Sequence, residues 1–363
     1  MKRSFVFFIV VLLLSVLYFS CDSTKDEPEK DLIVSVDKSQ ITCDGNDKAQ
    51  FIVMYGDQDV TTNSQICITD EMCLTMPVFV SENTGEYEFY ATYKEGNKTL
   101  KSSNTVVVNV IDDFDYSKEL HKNVSFFIWT ATWCAPCYTL KASINIVMNE
   151  AKYRDHVSYV SFYTSENNSA GKSDDAVKSS LTEPFINQLA DNGRFFIIGY
   201  PSSVIDFTTM EVGGLPVVKV RSVLDTYMPN SALTGIKVNS VIEDEKINVK
   251  VSVGAKEEGT YYIGVLLTED NIRAFQNGSD ENYIHNNVVR AIGNDDIFGE
   301  KLGDMSAGDV ITKTYAFDVL PKYNSDNLNI MVYTLYDNKW GIRVMANSIK
   351  ASANGFTNYR YAK

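Results

Sequence analysis

Two cysteines two residues apart, Cys134 and Cys137, lie in the run Trp133-Cys134-Ala135-Pro136-Cys137. The apolar stretch before them, from Phe126 to Trp129, has the length and composition of a buried strand. After them, Tyr138 to Glu150 spaces Leu140, Ile144, Val147 and Met148 as an amphipathic helix does. The pair therefore falls where a strand hands over to a helix. Unpaired N–H groups and the positive end of the helix dipole at that point favour the thiolate of the first cysteine. Pro136 suits a first helical turn, where its missing N–H costs nothing. The second thiol can close a small, reducible ring with the first. The pattern points to thiol–disulfide exchange. A zinc knuckle would need a second cysteine pair, which this part of the chain lacks. A purely structural bridge over so short a loop gains little from chain entropy.

The elements that position the pair follow in a regular order. A strand is expected over His156 to Thr164, and a helix interrupted by Pro184 over Asp174 to Asp191. Next come a strand after Tyr200-Pro201, a partner at Met210-Glu211-Val212 and a helix over about Leu215 to Tyr227. Strand, helix, strand, helix, strand, strand, helix is an α/β order. With Trp133-Cys134-Ala135-Pro136-Cys137 and Tyr200-Pro201-Ser202, it resembles the thioredoxin superfamily. That resemblance implies that Cys134 attacks and Cys137 resolves. It also implies that Pro201 is a cis-proline whose neighbouring backbone pairs with an extended substrate, with Trp133, Pro136 and Tyr200 on the substrate side. Cis bonds are nearly confined to X–Pro. Family members carry a buried carboxylate on the strand before the motif; Ile128 stands there in this chain.

The ends of the chain say where such chemistry would take place. Lys2 and Arg3 precede an apolar run from Phe5 to Phe19, the layout of a secretory leader, and short for a spanning helix of ~20 residues. Ser20-Cys21 followed by a polar, acidic stretch resembles a bacterial lipoprotein signal. That resemblance implies a leader over 1–20, lipidation at Cys21, and an acidic tether over 21–31. An ordinary signal cut near Ser20, leaving Cys21 as a thiol, is the alternative. With 363 residues the chain is expected to hold two or three domains. A formal charge of −14 argues against nucleic acid, whose phosphates need a basic face. Three histidines leave little for a histidine-rich metal site, and neither metal nor cofactor is expected.

Residues 32–111 alternate short strands with polar turns, as in Tyr87, Phe89, Ala91, Tyr93 and Val106, Val108, Val110, which suggests an immunoglobulin-like β-sandwich. Two of its three cysteines, Cys43, Cys67 and Cys73, are expected to pair, with the pairing open. Residues 230–363 return to β rhythm, clearest at Ile247, Val249, Val251 and Val253, and read as a second sandwich. The expected fold class is multidomain α+β: an immunoglobulin-like sandwich, a thioredoxin-like α/β domain over 112–229, and a C-terminal β-sandwich. Within the last part, Tyr283-Ile284-His285-Asn286-Asn287-Val288-Val289-Arg290-Ala291 is the one specific polar cluster. His285 and Arg290 could bind an anion or a partner, or be a loop histidine and a salt-bridged arginine at a strand edge.

That cluster, the lipoprotein leader, the thioredoxin-like middle and the sandwich tail together resemble the outer-membrane-protein-28-related lipoproteins with a thioredoxin-like domain, over about Val124 to Lys363. The resemblance implies an outer-membrane lipoprotein of a Gram-negative cell, on the periplasmic or surface face, with surface exposure and adhesion in the family. Two functions follow. The first is a lipid-anchored thiol–disulfide oxidoreductase acting on envelope or exported proteins that carry thiols or disulfides. The alternative is a surface binding or adhesion protein in which the thioredoxin unit serves as scaffold.

Overall fold

The computed structural model describes residues 30–69, 72–167, 174–279 and 282–362. The leader, Cys21 and most of the tether lie outside these. The described chain divides into two compact units, meeting in sequence at Ile111 and Asp112.

In the first unit, Leu32–Val36 pairs antiparallel with Ala49–Tyr55, while Gly85–Glu95 lies between Val106–Ile111 and Ser64–Thr69 in a second sheet. The alternation expected of half-buried strands is present: Leu32 and Val34 are buried, Ile33 and Ser35 exposed. Phe89 meets both Phe51 and Phe79 in the core, with ring centroids 4.8 Å apart in each pair. Cys67 and Cys73 form a disulfide, and Cys43 is buried in the same core.

The second unit corrects the expected fold class. Strand makes up 47% of the described residues and helix 13%, with three α-helices among them. These are α1 (Ala135–Met148), α2 (Thr182–Asp191) and α3 (Val217–Tyr227). Among the described residues no separate thioredoxin-like α/β domain stands in the middle of the chain. Thr209–Val212, Ser202–Ile205, Val124–Thr130 and Val157–Tyr163 follow one another in a nine-stranded sheet that runs on through Val288–Ile292, Gly259–Glu269, Leu328–Asp337 and Arg343–Ser352. The join is a short parallel bridge, Ser161 to Val288, where Ser161 N–H donates to the Asn287 carbonyl at 2.8 Å.

The physical reason is an edge. Every residue of Val124–Thr130 and of Val157–Tyr163 is buried, so the open side of the latter needed a partner strand. The later strands supply it, and the core is shared accordingly. Phe127, Trp129, Val160 and Phe162 pack with Phe185 and Leu189 of α2, and with Leu266, Val289, Met331 and Tyr333 of the later strands. On the opposite face Val124, Phe126 and Ile128 pack against Leu140, Ile144 and Val147 of α1 and Val220, Val223 and Leu224 of α3. Farther along the sheet, Ile263, Val265, Ile330 and Val332 face Ile236, Val238, Val249 and Val251 of a four-stranded sheet, making a sandwich of two layers.

Local boundaries follow the local chemistry. The helix expected from Asp174 begins only at Thr182, because Pro184 fits its first turn and could not sit farther in. Among the described residues no helix is long and apolar enough to cross a membrane.

Candidate functional site

Cys134 is the N-cap of α1, with extended backbone, and Cys137 closes the first turn. The two are joined in a disulfide. The Cys137 N–H donates to the Cys134 sulfur at 3.2 Å and lies 3.2 Å from its carbonyl oxygen. A thiolate at Cys134 would accept the same bond, which is the stabilisation a helix N-terminus offers. Access is unequal: Cys134 is 4% exposed and Cys137 0%. An incoming sulfur would therefore meet Cys134 first.

Around the disulfide, Ala131, Trp133 and Tyr200 complete a small apolar cluster. The Trp133 and Tyr200 rings meet edge to face, with centroids 5.8 Å apart, and Trp133 Nε1 donates to the Glu166 carbonyl at 3.2 Å. Burial raises the Tyr200 phenol above its ordinary value. The Tyr200–Pro201 peptide is cis, and the Pro201 carbonyl accepts from Gly213 N–H at 2.8 Å. Gly214 passes so near α1 that an added Cβ would lie 3.1 Å from the Pro136 carbonyl. Cys134, Cys137, Trp133, Pro136, Tyr200 and Pro201 are thus brought to one place. Cys21 lies outside the described residues.

A segment from much later in the chain covers the motif from the other side. Asn277 donates its N–H to Thr132 O at 2.7 Å and its side-chain amide to Trp133 O at 2.9 Å. Gln276 is fully buried, and its amide nitrogen reaches the carbonyls of Cys134 at 3.0 Å and Thr132 at 3.2 Å. With its nitrogen so engaged, the Gln276 oxygen faces inward, where it accepts from Lys141 Nζ at 3.2 Å.

Lys141 was not marked by the sequence reading, though its spacing could have found it. It stands one turn beyond Cys137 on the face of Leu140 and Ile144, a position for an apolar side chain. It is 2% exposed. Its ammonium donates to the Tyr163 hydroxyl, which in turn bonds His285 Nδ1 at 2.5 Å. His285 Nε2 lies 3.3 Å from the Ala274 carbonyl, which assigns the ring proton to Nε2. Among the described residues no carboxylate bonds Lys141. Burial alone therefore pulls it down to about 7. Burial first, and the Lys141 charge second, hold His285 down to about 3. Tyr163 is pushed well above its ordinary value by burial.

His285 is therefore neither exposed nor in a loop: it ends the strand Tyr283–His285 and is buried. Arg290 is ion-paired with Glu269 through two contacts of 2.7 Å, and its guanidinium lies 5.1 Å from the Tyr323 ring centre. Neither residue presents an anion site to solvent.

Comparison with known proteins reaches the C-terminal part of the chain. Residues 194–353 match the family model of outer membrane protein Omp28. The match leaves out both cysteines of the motif and the first unit. No curated protein matches the chain. Among solved structures, HBP35 of Porphyromonas gingivalis superposes with a TM-score of 0.54 at 16% identity, over 65% of this chain and 76% of that one. At that identity the likeness is one of fold. A structural-genomics protein of Agrobacterium tumefaciens superposes at a TM-score of 0.44 and 14% identity, over 66% of this chain and 97% of that one.

Proposed function

We propose that this chain is an outer-membrane-associated envelope protein, anchored by a lipid on Cys21, whose work is to bind a protein partner at the cell surface. The observation that carries the reading is the Omp28 match over residues 194–353. Support for a binding face comes from the segment leading into Tyr200, where Phe196 is exposed and Ile198, two residues before Tyr200, is 83% exposed. Fractionation of cells that make the full chain tests the location. The protein is expected in the outer-membrane fraction, labelled by radioactive palmitate and accessible to protease on whole cells. Cys21→Ala should remove the label and release the protein. Recovery of the unlabelled wild type from the periplasm would sink the reading.

A second reading, thiol–disulfide exchange, is favoured by one observation: the Cys134–Cys137 bond spans the N-cap and first turn of α1, with the Cys137 N–H on the Cys134 sulfur. In the reducing direction a Cys134 thiolate attacks a partner's disulfide, and the partner's second sulfur leaves as a thiolate. Cys137 then attacks the Cys134 sulfur, reforming the internal bond and releasing the partner's other thiolate. Cys137→Ser should trap mixed disulfides with envelope proteins. If none accumulates, and the wild type does not reduce insulin, exchange is excluded.

A further inference from the structure

Lys141 is a buried amine one helical turn beyond Cys137 on α1. Its surroundings are specific. From the strand Val157–Tyr163 it meets the Tyr163 hydroxyl, and from the covering segment the Gln276 oxygen at 3.2 Å. The ring centres of Tyr163 and Tyr283 lie 4.6 and 5.5 Å from its nitrogen, and His285 stands behind Tyr163. The titratable groups facing it are thus two phenols held protonated by burial and an imidazole held neutral. On its own helix, Tyr138 and Cys137 lie three and four residues back on the same side, and Cys137 is fully buried and joined to Cys134.

The hydrogen-bond count defines what this amine can do. A neutral amine has two N–H donors and one lone pair. Tyr163 and Gln276 accept the two donors. The lone pair remains, on a side chain that shares its helix face with the Cys137 thiol. Ile128, on the strand that leads into the motif, is buried and cannot take a proton.

We propose that Lys141 is the proton acceptor for Cys137 in the resolving step. The inference rests on the exchange reading and names the base that reading lacks. In the mixed disulfide, the Cys137 thiol gives its proton to the Lys141 amine. The resulting thiolate attacks the Cys134 sulfur, the Cys134–Cys137 bond forms, and the bond from Cys134 to the partner breaks. The electron pair leaves with the partner's sulfur, which takes the proton back from the ammonium. Tyr163 and Gln276 hold the amine in place throughout, and the Gln276 amide ties that placement to the Cys134 carbonyl at 3.0 Å. Burial that brings a lysine close to neutral pH is what general-base work requires.

The test separates the two thiols. The reduced protein is mixed with the aryl disulfide of nitrothiobenzoate, whose two halves are released in succession and read by absorbance. The first phase is the attack of Cys134, and the second is resolution by Cys137. Lys141→Met is expected to leave the first phase unchanged and to slow the second ~100-fold near neutral pH, the usual worth of a general base. A fall of less than about threefold in the second phase, or an equal fall in both, overturns the proposal. The wild-type profile gives an independent reading should that variant fold poorly. Its second phase should plateau above about pH 7 and decline below, as the amine becomes protonated. A rate that instead climbs steadily to pH 9, as for an unassisted buried thiol, overturns the proposal as well. Insulin reduction by the same wild-type sample reads the exchange reading separately: its absence, with the two-phase behaviour intact, removes the physiological reaction while leaving the role of Lys141 standing.

Discussion

Arg290 gives the sharpest test of how the second unit is held together. Its side chain and that of Glu269 are 5% and 4% exposed, and the second Glu269 oxygen accepts the Asn324 N–H at 2.9 Å. Arg290→Met removes the cation and leaves a buried carboxylate with one neutral donor. Breaking a buried ion pair from one side costs ~3–5 kcal/mol, because the remaining charge is stranded. Glu269→Gln combined with Arg290→Met removes that charge and should recover most of the loss. At roughly 2–4 °C per kcal/mol for a unit of this size, the single variant should melt ~10 °C lower. Urea unfolding followed by tryptophan emission measures both variants, since Trp129 is wholly buried. The reasoning fails if the single variant loses less than ~1 kcal/mol, or if the double variant is no more stable than the single. An arginine serving an anion site would behave in the opposite way, with little change in stability.

Three further outcomes follow from the same structure. Tyr163→Phe leaves both Lys141 and His285 short of a partner and should cost ~1–3 kcal/mol in urea unfolding, whereas a change below ~0.5 kcal/mol would mean that water takes over the hydroxyl's role. His285 binds a proton near 6.5 when unfolded but only near 3 when folded, so its contribution is intact above 6.5 and is lost as pH falls toward 3. The stability of His285→Gln should therefore decline less between pH 6.5 and 4 than that of the wild type, and parallel curves would disprove this. Replacing both Cys67 and Cys73 by Ala opens a bridge between residues six apart in sequence, with an expected loss of ~2 kcal/mol confined to the first unit. A loss in the unfolding of the second unit would contradict it.

Much of the site was legible because its signals are local. The strand, the cysteine spacing, Pro136 and the helical periodicity of α1 lie within one continuous stretch, and Tyr200-Pro201 declares itself by the proline. The sheet was not legible. Ser161 and Val288 pair across a long sequence separation, and a fully buried strand gives no sign of which chain segment will cover its edge. That is why a separate α/β domain was expected and a continuous nine-stranded sheet was found. Lys141 was missed for a related reason. A lysine on a helix reads as solvated, and its burial is produced by Gln276, Tyr283 and His285, which arrive later in the chain. His285 was noticed but placed in a loop, where the structure has it end the three-residue strand Tyr283–His285. Arg290 was read correctly in its plain sense, as a salt-bridged arginine.

The covering segment has a consequence for the order in which the protein is made. During synthesis the motif emerges well before Gln276 and Asn277, which bond the carbonyls of Thr132, Trp133 and Cys134. For that interval the cysteines exist without their lid, and Lys141 stands in water as an ordinary cation. The two sulfurs then lack part of the cover that buries them in the folded chain. A fragment cut at residue 229 would be held permanently at that earlier stage. It would carry both cysteines and Pro201 without the hydrogen bonds that Gln276 and Asn277 bring to the motif.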